Sequence, residues 1–326
     1  MDKIICKICD KEFPKSKNLH LHLRKHKIRV VEYYQTHYPR YDLRDGNIIK
    51  FKNKDQYFST DFNSKTNLKA WLKSQPRHLS KKYMRNFLIS RKEKKGLVYS
   101  MGQVELRSLM AAPVQFYDEI FDDCVNEFSH GYYALCHELG FDNKFNGCDN
   151  IITGIEYDKS KYKIHIDTRE RKPLKFDRDI EIQTLKFGDY TFSDQDATCG
   201  CYIERKSLAD FVGTLSGGYD RFDREMLRAE NAGAYMVILV ESKMSNATSF
   251  QFLRKAGSKD RVFKNVRATP EFIMHNMRKI ISDFPNCQFL FVDGRKEASR
   301  VIEKIFTCGC VYRKVDLQLA YDKKIL

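Results

Sequence analysis

The sequence predicts a multidomain chain: a small ββα module, then a mainly helical basic middle region, then a C-terminal α/β domain with a central mixed sheet. Three observations predict this. Two cysteines and two histidines fall at close spacing within the first 27 residues. Residues 65–95 carry eleven Lys or Arg against one acid, Glu93. Beyond residue 160, short apolar runs alternate with segments of helical periodicity. The expected boundaries are 1–27, 28–150 and 151–326.

The N-terminal module rests on Cys6-x2-Cys9, twelve intervening residues, and His22-x3-His26. Zinc takes four thiolate and imidazole ligands in a tetrahedron, and a hairpin followed by a helix supplies them at this spacing. Ile4, Phe13 and Leu19 provide a small core. The segment resembles the two-Cys/two-His zinc finger, which implies one structural zinc and folding that depends on it. His20 lies at the wrong phase and is left out of the ligand set. In fingers that read DNA, three helix positions face bases; by offset from His22 these are Lys15, Asn18 and Leu21, of which Lys15 and Asn18 suit DNA and Leu21 does not. A protein-binding or purely structural finger is the other reading.

Charge is unevenly placed along a chain of net +15. Residues 1–107 hold 26 Lys and Arg against 10 Asp and Glu, while residues 108–159 hold 2 against 10. A basic first third points to a polyanion, most simply nucleic acid. Residues 28–64 are aromatic-rich, and Asp45-Gly46 reads as a turn between short strands. "TNLKAWLKSQ" and "SKKYMRNFLISRKEKK" read as helices. Lys69 with Lys73, and Lys81 with Arg85, share helix faces four residues apart. Together with Lys82 they are the candidate phosphate contacts, whereas Trp71 and Phe87 are expected in the core. Residues 108–150 read as acidic and helical, with a linker at "FDNKFNGCDN". Cys124, His130, Cys136, His137 and Cys148 match no zinc spacing. No apolar run approaches the ~18 residues that span a bilayer. Ten cysteines without an export signal suggest reduced thiols in an intracellular protein.

The last domain reads as strand (162–167), strand pair or bent strand with Gly188 at the bend (179–192), strand (201–206), helix, a continuous apolar strand "YMVILVE", a helix capped by Thr269 and Pro270, strand, helix. Side chains two apart on a strand share a face, so Glu204 and Lys206 point the same way. Asp167 and Asp189 sit at strand ends. Two or three carboxylates beside one lysine make a magnesium-type site. Ser207-x-x-Asp210 also fits a capping box.

"GDY" (188–190) followed by "ERKSLAD" (204–210), preceded by "DTRE" (167–170) and followed by "YDRFDREMLR" (219–228), resembles the signature of the XPF-type structure-specific endonucleases, a branch of the PD-(D/E)xK, restriction-endonuclease-like fold. The resemblance covers about residues 160–310. It implies magnesium- or manganese-dependent cleavage of branched, flapped or forked DNA in repair, recombination or replication. Carried over, Asp167, Asp189 and Glu204 would be metal ligands and Lys206 the catalytic lysine. Arg205 would add its backbone carbonyl, and Arg221 would meet DNA. It further implies pairing, as homodimer or heterodimer, through the nuclease domain. Two departures stand out: the hairpin between the motifs is longer than usual, and the 16 residues after Cys310 are too few for tandem helix-hairpin-helix domains. The basic N-terminal third is the expected substitute. A site-directed endonuclease and an inactive nuclease-like subunit are the competing functions. Two Cys-Gly-Cys pairs, Cys199–Cys201 and Cys308–Cys310, would form a four-thiolate site only if they met in space.

Overall fold

The computed structural model describes residues 4–38, 50–59, 65–96, 98–109, 112–127, 129–145, 162–194, 197–198, 200–253, 262–263, 266–307 and 313–326. The chain divides into two units, Met1–Ser90 with Met110–Ala112 and Arg91–Leu109 with Pro113–Leu326.

In the first unit, β1 (Ile4–Ile5) pairs antiparallel with β2 (Glu12–Phe13), and α1 (Ser16–His22) runs into a tight 3-10 turn, Leu23–His26. The hairpin closes through the Cys6 and Asp10 N–H groups, which donate to Lys11 O and Cys6 O at 2.9 and 2.8 Å. The helices α2 (Val30–His37), α3 (Lys54–Ser59), α4 (Lys65–Ser74) and α5 (Arg77–Lys95) follow. The apolar cluster of the first 26 residues continues past residue 27. Tyr33 of α2 is buried in the same cluster as Cys6, Leu19 and Leu23, and its hydroxyl accepts the Lys7 N–H at 2.9 Å. The Asp45-Gly46 turn and the residues beside it lie outside the described residues; the nearest described elements, α2 and α3, are helices. The physical reason is the spacing of Val31, Tyr34, Tyr57 and Phe58, which form a second apolar cluster with Phe51. Helices α4 and α5 bury Leu68, Leu72, Leu79, Met84 and Leu88. Trp71, expected in the core, is half-buried with its ring edge-on to Tyr83 at 5.6 Å, and Phe87 is also half-buried.

In the second unit, three short helices, α6 (Gln103–Ser108), α7 (Val114–Ile120) and α8 (Gly131–Glu138), precede the sheet. The sheet strands are β3 (Tyr162–Asp167), β4 (Ile180–Gln183), β5 (Tyr190–Asp194), β6 (Ala197–Thr198), β7 (Cys201–Lys206), β8 (Tyr235–Val240) and β9 (Cys287–Phe291). Their order is β4-β3-β5-β7-β8-β9, with β6 paired to β5. Pairings β3–β4, β7–β8 and β8–β9 are parallel, whereas β5 runs antiparallel to both β3 and β7. Residues 179–192 are therefore neither a hairpin nor one bent strand. β4 and β5 lie on opposite sides of β3, because Ile164 and Ile166 register with both. Every residue of β8 is buried, as a strand covered on both faces requires. The helices are α9 (Leu208–Thr214), α10 (Tyr219–Asn231), α11 (Met244–Ala247), α12 (Pro270–Asp283), α13 (Arg295–Thr307) and α14 (Leu317–Asp322). α12 is capped as its sequence demands: the Phe272 N–H donates to Thr269 Oγ1 at 3.2 Å, with Pro270 at the first turn.

Residues 91–109 and 113–145 group with the sheet's unit, and the division falls inside α5. Asp316, which caps α14, is the reason. Its carboxylate is buried and accepts from the Gln103 N–H at 2.5 Å, the Leu319 N–H at 3.1 Å and the Tyr133 hydroxyl at 3.1 Å. Lys144 Nζ donates to Cys287 O at 3.1 Å. Buried polar groups of this kind are costly to leave unpaired, so they fix α6 and α8 to the sheet.

Gly188 makes the turn into β5. Its φ of +59° suits glycine, and a Cβ there would meet Ile203 O at 2.7 Å. Gly188→Ala should cost roughly 2 kcal/mol or more, read as a lower melting temperature. A neutral result would show that the β5–β7 junction yields easily.

Candidate active site and metal centre

Antiparallel pairing of β5 with β7 puts the start of one strand beside the end of the other, through Tyr190 opposite Ile203. Asp189 thereby comes beside Glu204. The backbone completes the junction: the Asp189 N–H donates to Ile203 O at 2.8 Å, the Asp167 N–H to Asp189 O at 2.9 Å, and the Arg205 N–H to the Asp189 carboxylate at 2.7 Å. Glu204 and Lys206 share a face as strand alternation requires, and Lys206 Nζ donates to Glu204 Oε1 at 2.9 Å. Lys206 is 8% exposed, and its ammonium lies 5.4 Å from the centre of the Phe222 ring on α10.

Burial pushes the Asp189 carboxyl up to about 7; the Glu204 charge adds to this, and the Arg205 N–H and Lys206 oppose it. Two carboxylates this close to one lysine hold more negative charge than the site neutralises. That donor set fits a hard divalent cation.

Glu225, one turn along α10 from Phe222, is a third carboxylate that sequence reasoning missed. It is half-buried, and burial and then the Glu204 charge raise its carboxyl, while Lys206, Arg228 and Arg221 pull it down. The only sequence signal was its three-residue spacing from Phe222, which places both on one helix face.

Arg205 does not reach outward. Its side chain is 12% exposed and lies between Glu170 (Oε2 to Nη2, 3.0 Å) and Glu241 (Oε1 to Nη1, 2.9 Å), and it also donates to Lys172 O at 3.2 Å. Burial opposes its charge, but these carboxylates outweigh burial and raise the guanidinium further. Glu170 pairs with Arg205, and its neighbour Arg169 pairs with Asp167.

Asp167, expected among the metal ligands, has a side chain that is 1% exposed with both oxygens hydrogen-bonded. Oδ1 accepts from Arg169 N and Nε at 2.7 Å each, and Oδ2 from Arg169 Nη2 at 2.9 Å and Leu185 N at 2.8 Å. Burial alone would raise the Asp167 carboxyl; the Arg169 and Leu185 bonds win and lower it. It organises the loops after β3 and before β5. Asp210 is a cap: its N–H donates to Ser207 Oγ at 3.1 Å, and Ser207 Oγ donates back to its carboxylate at 2.7 Å.

In the finger, Cys6, Cys9, His22 and His26 bring one ligand atom each to within 4.8 Å of one another, the one such group of three or more among the described residues. Cys9 Sγ lies 3.2 Å from His22 Nε2, Cys6 Sγ 3.7 Å from His26 Nε2, and the two Nε2 atoms are 3.0 Å apart. The edges of a tetrahedral site with ordinary bond lengths are about 3.3–3.8 Å, so the four atoms fit one metal ion. Desolvation, then His26, Lys11 and Lys25, lower the His22 ring, favouring its neutral, ligating form. His20 stands apart, 3.1 Å from the Tyr34 hydroxyl. Cys124, Cys136, His130 and His137 form no such cluster. Cys148, Cys199, Cys308 and Cys310 lie outside the described residues.

Of the candidate DNA contacts, Lys15, Asn18, Lys73, Lys82 and Arg221 are exposed, whereas Lys69, Lys81 and Arg85 are half-buried. Leu21 is 52% exposed. On α10, Arg224 and Arg228 are exposed as well as Arg221.

Residues 166–305 match the ERCC4 domain. Among solved structures the chain is similar to XPF from Aeropyrum pernix in complex with DNA, at 19% identity over 47% of this chain and 65% of that one, with a TM-score of 0.32. It is likewise similar to XPF from Aeropyrum pernix, at 18% identity over 46% of this chain and 68% of that one, with a TM-score of 0.32. The chain thus spans less than two thirds of the first structure's length. No curated protein matches it. No helix among the described residues is long and apolar enough to cross a membrane.

Proposed function

From the ERCC4 domain over residues 166–305, we propose that this chain is a metal-dependent, structure-specific DNA endonuclease that hydrolyses phosphodiesters at branched, flapped or forked DNA. The observation that carries the reading is Asp189 and Glu204 beside Lys206 at the meeting of β5 and β7. Asp189 and Glu204, with the Arg205 carbonyl, would hold a magnesium or manganese ion. Such an ion, when bound, stabilises charge on the attacked phosphate and lowers the pKa of its water. Lys206 supplies a fixed positive charge, oriented by Glu204 and by the face of Phe222. Arg205 acts at one remove. Held by Glu170 and Glu241, it keeps its own N–H aimed at Asp189.

The test is cleavage of labelled fork, flap, four-way and plain duplex DNA, with magnesium and then with EDTA. Preference for junctions, abolished by EDTA, is expected. Dependence on base sequence and not on shape would favour a site-directed nuclease, with the finger's Lys15 and Asn18 choosing the target. No cleavage of any substrate would leave a DNA-binding subunit.

The finger binds one structural zinc in this reading. Cys9→Ser should lose about one zinc per chain, because a closed site needs all four ligands, while cleavage of junction DNA persists. Metal analysis of the wild type that finds no zinc would remove the assignment.

A further inference from the structure

Among the described residues the Lys206 ammonium has one ion-pair partner, Glu204 Oε1 at 2.9 Å. In the reading above, Glu204 also serves a divalent cation. A carboxylate drawn to a dication has less charge to offer its lysine, and a buried ammonium left without a counter-charge is costly. A replacement partner stands on α10. Phe222 lies beneath the ammonium. Glu225 follows it by three residues, which puts it on the same helix face. It is half-buried beside the buried Met226 and feels the charges of both Glu204 and Lys206.

We infer that Glu225 is a positioning residue that takes over the Lys206 ammonium when Glu204 turns to the cation. This rests on Asp189 and Glu204 being the cation's ligands. Lys206 stays oriented by Phe222 and changes only its carboxylate partner, so the site can load metal without stranding a buried charge.

The probe is manganese, titrated by calorimetry into the full chain without DNA. Glu225→Gln should weaken manganese binding about fivefold, the worth of one partly exposed ion pair. Glu225→Asp, which keeps the charge, should stay within about twofold of wild type. In a Lys206→Met background, Glu225→Gln should change nothing further, which a merely structural role would not produce. If Glu225→Gln folds poorly, Glu225→Ala is read in the same way. Wild-type manganese affinity in Glu225→Gln, or an equal loss in the Lys206→Met background, overturns the inference. Asp189→Asn distinguishes the premise: if it too binds manganese like wild type, the cation site itself is wrong, and the exchange of partners falls with it.

Discussion

Asp189→Asn and Lys206→Ala should each reduce cleavage of junction DNA by about a thousandfold while leaving DNA binding nearly intact. In the proposed function both groups act on charge that develops in the transition state and not on an extended binding face. The measurement is single-turnover cleavage alongside binding by anisotropy; near-wild-type cutting by either purified variant would remove the site assignment. A second signature separates Asp189 from an ordinary surface acid. Its carboxyl is raised to about 7 by burial and by Glu204. Folding therefore favours its protonated form, and the ionised form works against the fold. Stability associated with the proton is fully present below the ordinary carboxylate range and is lost as pH rises through about 7. Measured in EDTA, Asp189→Asn should thus melt above wild type by an amount that grows from about pH 4 to about pH 7 and then levels off. The same sign means that protons compete with a divalent cation, whose affinity should fall below about pH 7.

Reversing three charges on α5, Lys81→Glu with Lys82→Glu and Arg85→Glu, should weaken DNA binding at least tenfold and flatten the dependence of log K on log salt by up to about three units. The segment 65–95 is the densest cation run in the chain, eleven basic residues against one acid. Lys82 is exposed, whereas Lys81 and Arg85 are half-buried, so Lys82→Glu alone should account for a large share of the change in slope. Titrations at three salt concentrations, with melting curves as a control for folding, decide it. An unchanged slope would make the segment a solvated face and would move DNA recognition to the sheet unit, where Arg221, Arg224 and Arg228 are exposed on α10.

The strands, the capped helix after Thr269 and the closeness of Glu204 to Lys206 were legible because they follow from periods of two and 3.6 residues. What the sequence hid was long-range pairing. Nothing local says that β4 and β5 lie on opposite sides of β3, or that Glu170 and Glu241, 71 positions apart in number, close on one guanidinium. Asp167 sits at a strand end as the sequence suggests, but its bond to the Leu185 N–H, 18 positions away, follows from pairing that nothing local announces. Glu225 was hidden for the opposite reason: on a helix that carries four acids and three arginines, any one acid reads as solvated. Composition suggests a linker near residue 150, but it cannot register a buried Asp316 drawing Gln103 and Tyr133 into the sheet's unit.

The Tyr33 hydroxyl that accepts the Lys7 N–H gives the finger an optical consequence. Tyr33 stands 5.5 Å from Tyr34 and 4.8 Å from His37, and Tyr34 in turn stands 5.2 Å from Tyr57 and 4.9 Å from Phe58. The Cys6–Cys9 turn and this chain of rings share one scaffold, so a metal bound at Cys6 and Cys9 should change the surroundings of chromophores outside the finger. Zinc titrated into the metal-free chain should therefore change tyrosine emission and near-ultraviolet circular dichroism, with no attached dye. A peptide cut after residue 27 loses both that response and the ring that completes its core.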